Sequence, residues 1–195
     1  MLDRNSTIKK NDINKDASVN VKHHSELIIL ENEPILKLNL RGKSRDFLST
    51  VGKILNIILP TEPNTSTTNN NITALWLSPD EWLIFLEDSS VFNKNNVEKS
   101  LFEKISQKKL GAVTNVSDQF MLINIQGKNL YELLSSGSPF NFNDFKNKKG
   151  AVTQTLLNHV DVIIYNKEIN KINLFVRRSF SEHLWSWMND SARFI

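Results

Sequence analysis

Cysteine is absent from the 195 residues. Its absence excludes disulfides, thiol nucleophiles and metal centres built on thiolates, and it fits a reducing compartment. Glycine is sparse: six residues, scattered, with neither G-x-G-x-x-G nor Walker spacing. The sequence therefore has no Gly-rich cradle for the phosphates of a dinucleotide. No G-x-S-x-G elbow is present to set up a hydroxyl nucleophile. No apolar run approaches the roughly 20 residues of a bilayer-spanning helix. Met1-Leu2-Asp3-Arg4-Asn5-Ser6 lacks the apolar stretch of a secretory signal, so a cytoplasmic protein is expected. Charge of one sign is lacking too. The 24 Lys and Arg exceed the 21 Asp and Glu only slightly, giving a net charge of +3. That excess is dispersed, and it points to neither nucleic acid nor a membrane surface.

What is present suits a globular α+β protein. Hydrophobic residues make up 39% and aromatic residues 9%. The length fits one ordinary domain or two small joined halves, and a chain of this size buries roughly 70% of its unfolded surface. Asn and Lys are frequent throughout, as codon bias in an AT-rich genome produces, and the Asn-x-Ser/Thr triplets follow from that excess. Residues 1–24 are polar, mixed in charge and aperiodic, which predicts a flexible N-terminal arm. His23-His24 at its end has only Glu26 nearby, too little for a metal site.

Order begins at Ile35. Residues 35–40 alternate as a strand and stop at Arg41-Gly42. Ser44 is placed to cap a helix with Phe47, Val51, Ile54, Leu55 and Ile58 on one face, stopped by Pro60 and Pro63. Residues 61–71 read as a mobile polar loop. Leu75-Trp76-Leu77 and Trp82-Leu83-Ile84-Phe85 flank the turn Ser78-Pro79-Asp80-Glu81, with Pro79 and Asp80 suited to its central positions. Apolar residues on both faces of this hairpin imply a central place in a sheet, or one face against a partner. A second helix is expected over 95–109, with Val97, Leu101, Phe102 and Ile105 inward, then a strand over 112–117. The order strand, helix, strand, strand, helix, strand is the ferredoxin-like plan. The second half is similar but less complete. It has a strand over 120–125, a helix carrying Leu130, Leu133 and Leu134, strands over 152–157, 160–165 and 172–176, and a last helix with Phe180, Leu184, Trp185, Met188 and Ala192. These limits give an arm over 1–24, a first α+β half over 25–118 and a second over 119–195.

The candidate reactive groups are few. Asp80 and Glu81 are paired acids in a turn. General acid chemistry requires a water-poor pocket, so setting the turn, or meeting a basic group of a partner, is the preferred role. His159 and Asp161 lie two apart on one side of a strand, as an acid–base pair or, preferably, a hydrogen-bonded pair at a sheet edge. Arg177-Arg178, at a strand end, can grip a carboxylate or phosphate or form an ion pair. Trp185 and Trp187 point roughly 200° apart on a helix, so one of them is exposed or covered by another chain. Trp76, Asp80, Glu81, Trp82, Arg177, Arg178, Trp185 and Trp187 are therefore the candidate partner-interface residues, and no catalytic, cofactor or metal residue is proposed.

Ala74-Leu75-Trp76-Leu77-Ser78-Pro79-Asp80-Glu81-Trp82-Leu83 resembles the LWLGPDEWL signature of the gamma subunit of heterotetrameric sarcosine oxidase. Gly42 with Phe47 and Leu59-Pro60-Thr61-Glu62-Pro63-Asn64-Thr65 resembles that family's first helix and its LP-x-x-PNT run. Val116-Ser117-Asp118 with Gly127 and Leu133-Leu134, and Phe140-Asn141-Phe142 with Phe145 and Gly150, fall in the family's order. Arg178-Ser179-Phe180 and Leu184-Trp185-Ser186-Trp187-Met188 resemble its closing rSFa…LWxWL. Ser78 replaces the usual glycine and Asn141 the usual aspartate. The match covers residues 35–195. The resemblance implies two ferredoxin-like-related halves similar to the folate-binding domain of aminomethyltransferases. It also implies a complex that oxidatively demethylates sarcosine to glycine and passes the one-carbon unit to tetrahydrofolate. The partners would be alpha, beta and delta subunits, and FAD, FMN, NAD, zinc and tetrahydrofolate would be used through those other subunits. It brings no catalytic position to this chain. The alternative is a free-standing folate-binding module of one-carbon metabolism.

Overall fold

The computed structural model describes residues 21–24, 26–87 and 94–195. Most of the arm expected over 1–24 lies outside them. Its last four residues form a strand, β1 (Val21–His24), antiparallel to β2 (Leu27–Glu31). The chain divides into two units. One is Ile35–Ser117, and the other joins the described residues before Ile35 to Asp118–Ile195.

In the unit Ile35–Ser117, β3 (Lys37–Arg41) turns Leu38 and Leu40 into the core. Ser44 caps α1 (Arg45–Leu55), its Oγ accepting the Phe47 N–H at 3.0 Å. Phe47, Val51 and Leu55 are the buried line of this helix. The helix closes at Asn56, which takes a left-handed φ of 51° while its N–H bonds the Gly52 carbonyl. Ile58, expected on the inward face, lies beyond that end and is 84% exposed.

The polar stretch expected to be a mobile loop contains a strand, β4 (Ser66–Asn69), paired with β5 (Ile72–Ser78). Its β-branched threonines suit a strand. As the end strand of the sheet it needs no apolar alternation, and so it gave no periodic signal. β6 (Glu81–Leu86) completes the central hairpin. The second helix is not continuous. α2 (Lys94–Leu101) runs into one π turn over Phe102–Ser106. The wider turn keeps Leu101 and Ile105 buried but turns Phe102, expected inward, half out to solvent. After β7 (Ala112–Asn115) the sheet order is β4-β5-β6-β3-β7, antiparallel throughout. Without β4 this is the ferredoxin-like order. The hairpin is buried on both faces: Ile84 and Leu86 join the helix-side core, and Leu75, Leu83 and Phe85 on the opposite face are equally inaccessible.

The other unit continues with β8 (Phe120–Gly127), α3 (Leu130–Gly137), β9 (Val152–Leu157), β10 (Val160–Glu168), β11 (Lys171–Arg177) and α4 (Ser181–Ser191). Its sheet order is β1-β2-β8-β11-β10-β9. β2 pairs with β8, so residues 27–31, grouped with the first half in the sequence, belong here. Leu130, Leu133, Leu134, Leu184, Trp185 and Met188 pack against Ile123, Ile125, Ile164 and Leu174. Phe140, Phe142 and Phe145 close one side as edge-on rings with centroids 4.9 to 5.9 Å apart.

Packing is tight around Phe47. A Cβ on Gly42 would stand 2.5 Å from its ring, and a Cβ on Gly111 would run into both that ring and the Arg41 carbonyl oxygen. Both glycines are there because the ring passes where a side chain would start. Overpacking such a site costs about 1–3 kcal/mol. Gly111→Ala is expected to lose about that much in denaturant unfolding. It should lose more than Gly42→Ala, because it meets a rigid backbone atom as well as a ring.

Candidate functional site

The hairpin turn draws its charge from β3. Pairing of β3 with β6 sets Arg41 opposite Glu81. The Arg41 guanidinium lies 3.5 Å from Asp80 and 3.8 Å from Glu81, and Lys43 Nζ lies 3.9 Å from Asp80. Ser78 Oγ donates to Asp80 Oδ1 at 2.9 Å, Asn39 Nδ2 donates to Glu81 Oε1 at 2.7 Å, and the Gly42 N–H donates to the Asp80 carbonyl at 3.0 Å. The Ser78 hydrogen bond first, then Arg41 and Lys43, hold the Asp80 carboxyl below its ordinary value. A general acid at neutral pH needs the opposite shift. The basic groups that meet these acids are thus in the same chain.

The other sequence candidates separate into buried and open positions. Trp76 and Trp82 are register partners across β5 and β6. Trp82 is buried, its indole N–H donating to the Pro60 carbonyl at 2.8 Å and its ring 5.9 Å from Phe47, whereas Trp76 is half-buried. Trp185 is in the core, and Trp187 lies half-buried across Gly137. The Arg178 N–H donates to the Gln119 carbonyl at 2.8 Å, and its guanidinium is 3.9 Å from Asp118. His159 is not on a strand with Asp161: it sits at φ 64° in the two-residue turn Asn158–His159 joining β9 to β10. The side chains of His23 and His24 lie outside what the structure describes.

Arg177 is exposed at the end of β11 and lines an open cleft of about 460 Å³ with Phe120, Pro139, Thr155, Leu156, Asp161 and Ile163. Sequence reasoning singled out Arg177 and Asp161 but missed Phe120 and Leu156. The adjacent pair Leu156-Leu157 was the available signal, since neighbours in a strand face opposite ways. Leu157 is fully buried and Leu156 is 40% exposed.

Among the described residues no three His, Asp or Glu side chains converge on a metal position. Gly42, Gly111 and Gly137 are packed against aromatic rings, and Gly127 against the backbone at Glu26, so none of them opens a phosphate cradle. The Tyr131 hydroxyl, buried without a partner among the described residues, is pushed up to about 12 by desolvation, so it stays protonated. Among the described residues no helix is long and apolar enough to cross a membrane.

Each of the two units is an antiparallel α+β unit, and the fold has solved counterparts. The fold is similar to that of the glycine cleavage system aminomethyltransferase T from Bartonella henselae, with a TM-score of 0.63, 11% identity, and coverage of 87% of this chain and 47% of that one. It is also similar to a chain of the heterotetrameric sarcosine oxidase from Corynebacterium sp. U-96 in complex with pyrrole 2-carboxylate, with a TM-score of 0.78, 19% identity, and coverage of 89% and 87%. At these identities the likenesses are of fold. No curated protein matches the sequence. The family model for the sarcosine oxidase gamma subunit matches residues 41–193. The chain belongs to the sarcosine oxidase gamma subunit family.

Because the folded value of Asp80 lies below the unfolded one, this carboxylate stabilises the fold above about pH 4, and that contribution is lost as pH falls through the folded value. In an NMR titration Asp80 is expected below the ordinary aspartate value, and Asp80→Asn should flatten the acid limb of stability. A titration above the ordinary value would return Asp80 to the list of candidate acids.

Proposed function

We propose that this chain is a non-catalytic gamma subunit, an assembly component of a cytoplasmic heterotetrameric sarcosine oxidase completed by alpha, beta and delta subunits. That complex demethylates sarcosine oxidatively to glycine and passes the one-carbon unit to tetrahydrofolate. FAD, FMN, NAD, zinc and tetrahydrofolate act through the other subunits; in support, among the described residues no cluster of His, Asp or Glu could hold a metal. The observation that carries the reading is the family match over residues 41–193. It is supported by the acidic turn, whose two carboxylates are engaged by Arg41, Lys43, Asn39 and Ser78 of the same chain. The half-exposed and exposed members of the interface set, Trp76, Asp80, Glu81, Arg177, Arg178 and Trp187, remain available for subunit contact. Trp82 and Trp185 serve the core. A free-standing folate-binding role is not advanced, because likeness to the aminomethyltransferase is of fold alone.

Purification of the tagged chain from its native cell tests the proposal. It should elute in a complex with flavin absorbance, and the isolated chain should show no sarcosine oxidation above the blank. A monomer free of flavoprotein overturns the subunit role, and turnover by the isolated chain overturns its non-catalytic character.

A further inference from the structure

We infer that the open cleft at the end of the β8–β9 sheet is a docking groove for an extended segment of another subunit of the complex, a segment with apolar ends and one acidic residue placed over Arg177. The inference rests on the subunit reading above. Its first support is a row of side chains. Arg177 pairs in register with Phe120 across β11 and β8, and Asp161 with Leu156 across β10 and β9. One step out from the Val162–Val176 pair, Asp161 and Arg177 stand beside each other. Phe120, Arg177, Asp161 and Leu156 therefore form one line across four strands, apolar at both ends and ionic in the middle, and all four line the cleft.

Strands lie about 4.8 Å apart, so this line is about 14 Å long, the reach of four or five extended residues. A lone amino acid or carboxylate cannot touch both ends. Arg177 and Asp161 are exposed, and neither is ion-paired with another described residue. Leu156 is 40% exposed, on a strand that ends its sheet with no strand pairing its outer side among the described residues. In the line Phe120 stands beside the exposed Arg177, two residue types enriched at interfaces, and the exposed Leu156 stands beside Asp161. Charge complementarity chooses the occupant. Arg177 takes a carboxylate, whereas Asp161 repels a run of acids and favours a basic or hydrogen-bond-donating neighbour. The segment is thus mixed in charge at its centre and apolar at its ends.

The test is co-expression of the full set of subunits with the chain as wild type, Leu156→Glu, Arg177→Glu or Arg177→Lys, with Ile58→Glu as a surface control on the other unit. All five chains should keep the same melting temperature when isolated, because these side chains are exposed. Leu156→Glu and Arg177→Glu should each weaken assembly at least about tenfold, read as flavin-bearing complex per chain on size exclusion. Arg177→Lys and Ile58→Glu should assemble as wild type. Added salt should weaken the wild type toward Arg177→Glu. Undiminished assembly of both glutamate variants overturns the groove while leaving the subunit role intact. Self-association of the isolated chain that Leu156→Glu abolishes overturns it in favour of a second copy. A wild-type chain that never joins the other subunits removes the subunit reading, and this inference with it.

Discussion

The ring of Phe47 sits where three backbone segments must close around it. Gly42, just past β3, and Gly111, just before β7, both approach so near that neither can carry a side chain. Trp82 from β6 lies 5.9 Å away and is tied by its indole N–H to the Pro60 carbonyl, so the segment leaving α1 is drawn to the same point. The turn chemistry follows from this seat. Holding Gly42 against the ring fixes where β3 ends, which places Arg41 beside Glu81 and Asp80, and Lys43 beside Asp80. The Gly42 N–H then bonds the Asp80 carbonyl. The charged turn is a consequence of aromatic packing behind it, and its acids are paired before any partner arrives.

That pairing gives Asp80 the opposite of the environment a general acid needs. A carboxyl becomes a useful acid near neutral pH when burial raises its affinity for the proton and no cation opposes. Asp80 has the reverse environment: a hydroxyl donor and two cations near it, at a wet turn. Glu81 is held by Asn39 as well as Arg41. Two residues that in isolation suggest catalysis instead fix the hairpin to the strand beside it.

The elements with apolar periodicity were legible, and those without it were not. The α1 line Phe47, Val51 and Leu55, its Ser44 cap, and the hairpin from Leu75 to Phe85 all follow from spacing. β4 did not, because Ser66-Thr67-Thr68-Asn69 is an edge strand, whose only requirement is backbone pairing. β2 was missed because Leu27–Leu30 is a short run whose partner, β8, lies far along the chain, with Leu27 opposite Gly127 and Glu31 opposite Ile123; no local pattern announces so distant a pairing. The inward expectation for Phe102 failed at a π turn, which a 3.6-residue period cannot anticipate. The interface candidates were legible as residue types and not as places. Trp82 and Trp185 have the same chemistry as Trp76 and Trp187, and only packing separates them.

A pair of adjacent apolar residues in a strand illustrates how a surface arises from topology. Leu83-Ile84 on β6 and Leu156-Leu157 on β9 carry the same local signal, one residue for each face. β6 is the middle strand of its sheet, and both of its residues are inaccessible. β9 ends its sheet, and only Leu157 is buried. The difference lies in the neighbours the topology supplies, since β9 has one strand beside it where β6 has two. Leu156 consequently stays partly in water next to Asp161, at an apolar cost of about 25 cal/mol for each Å² left wet. Leu156 is open where the sheet runs out of strands.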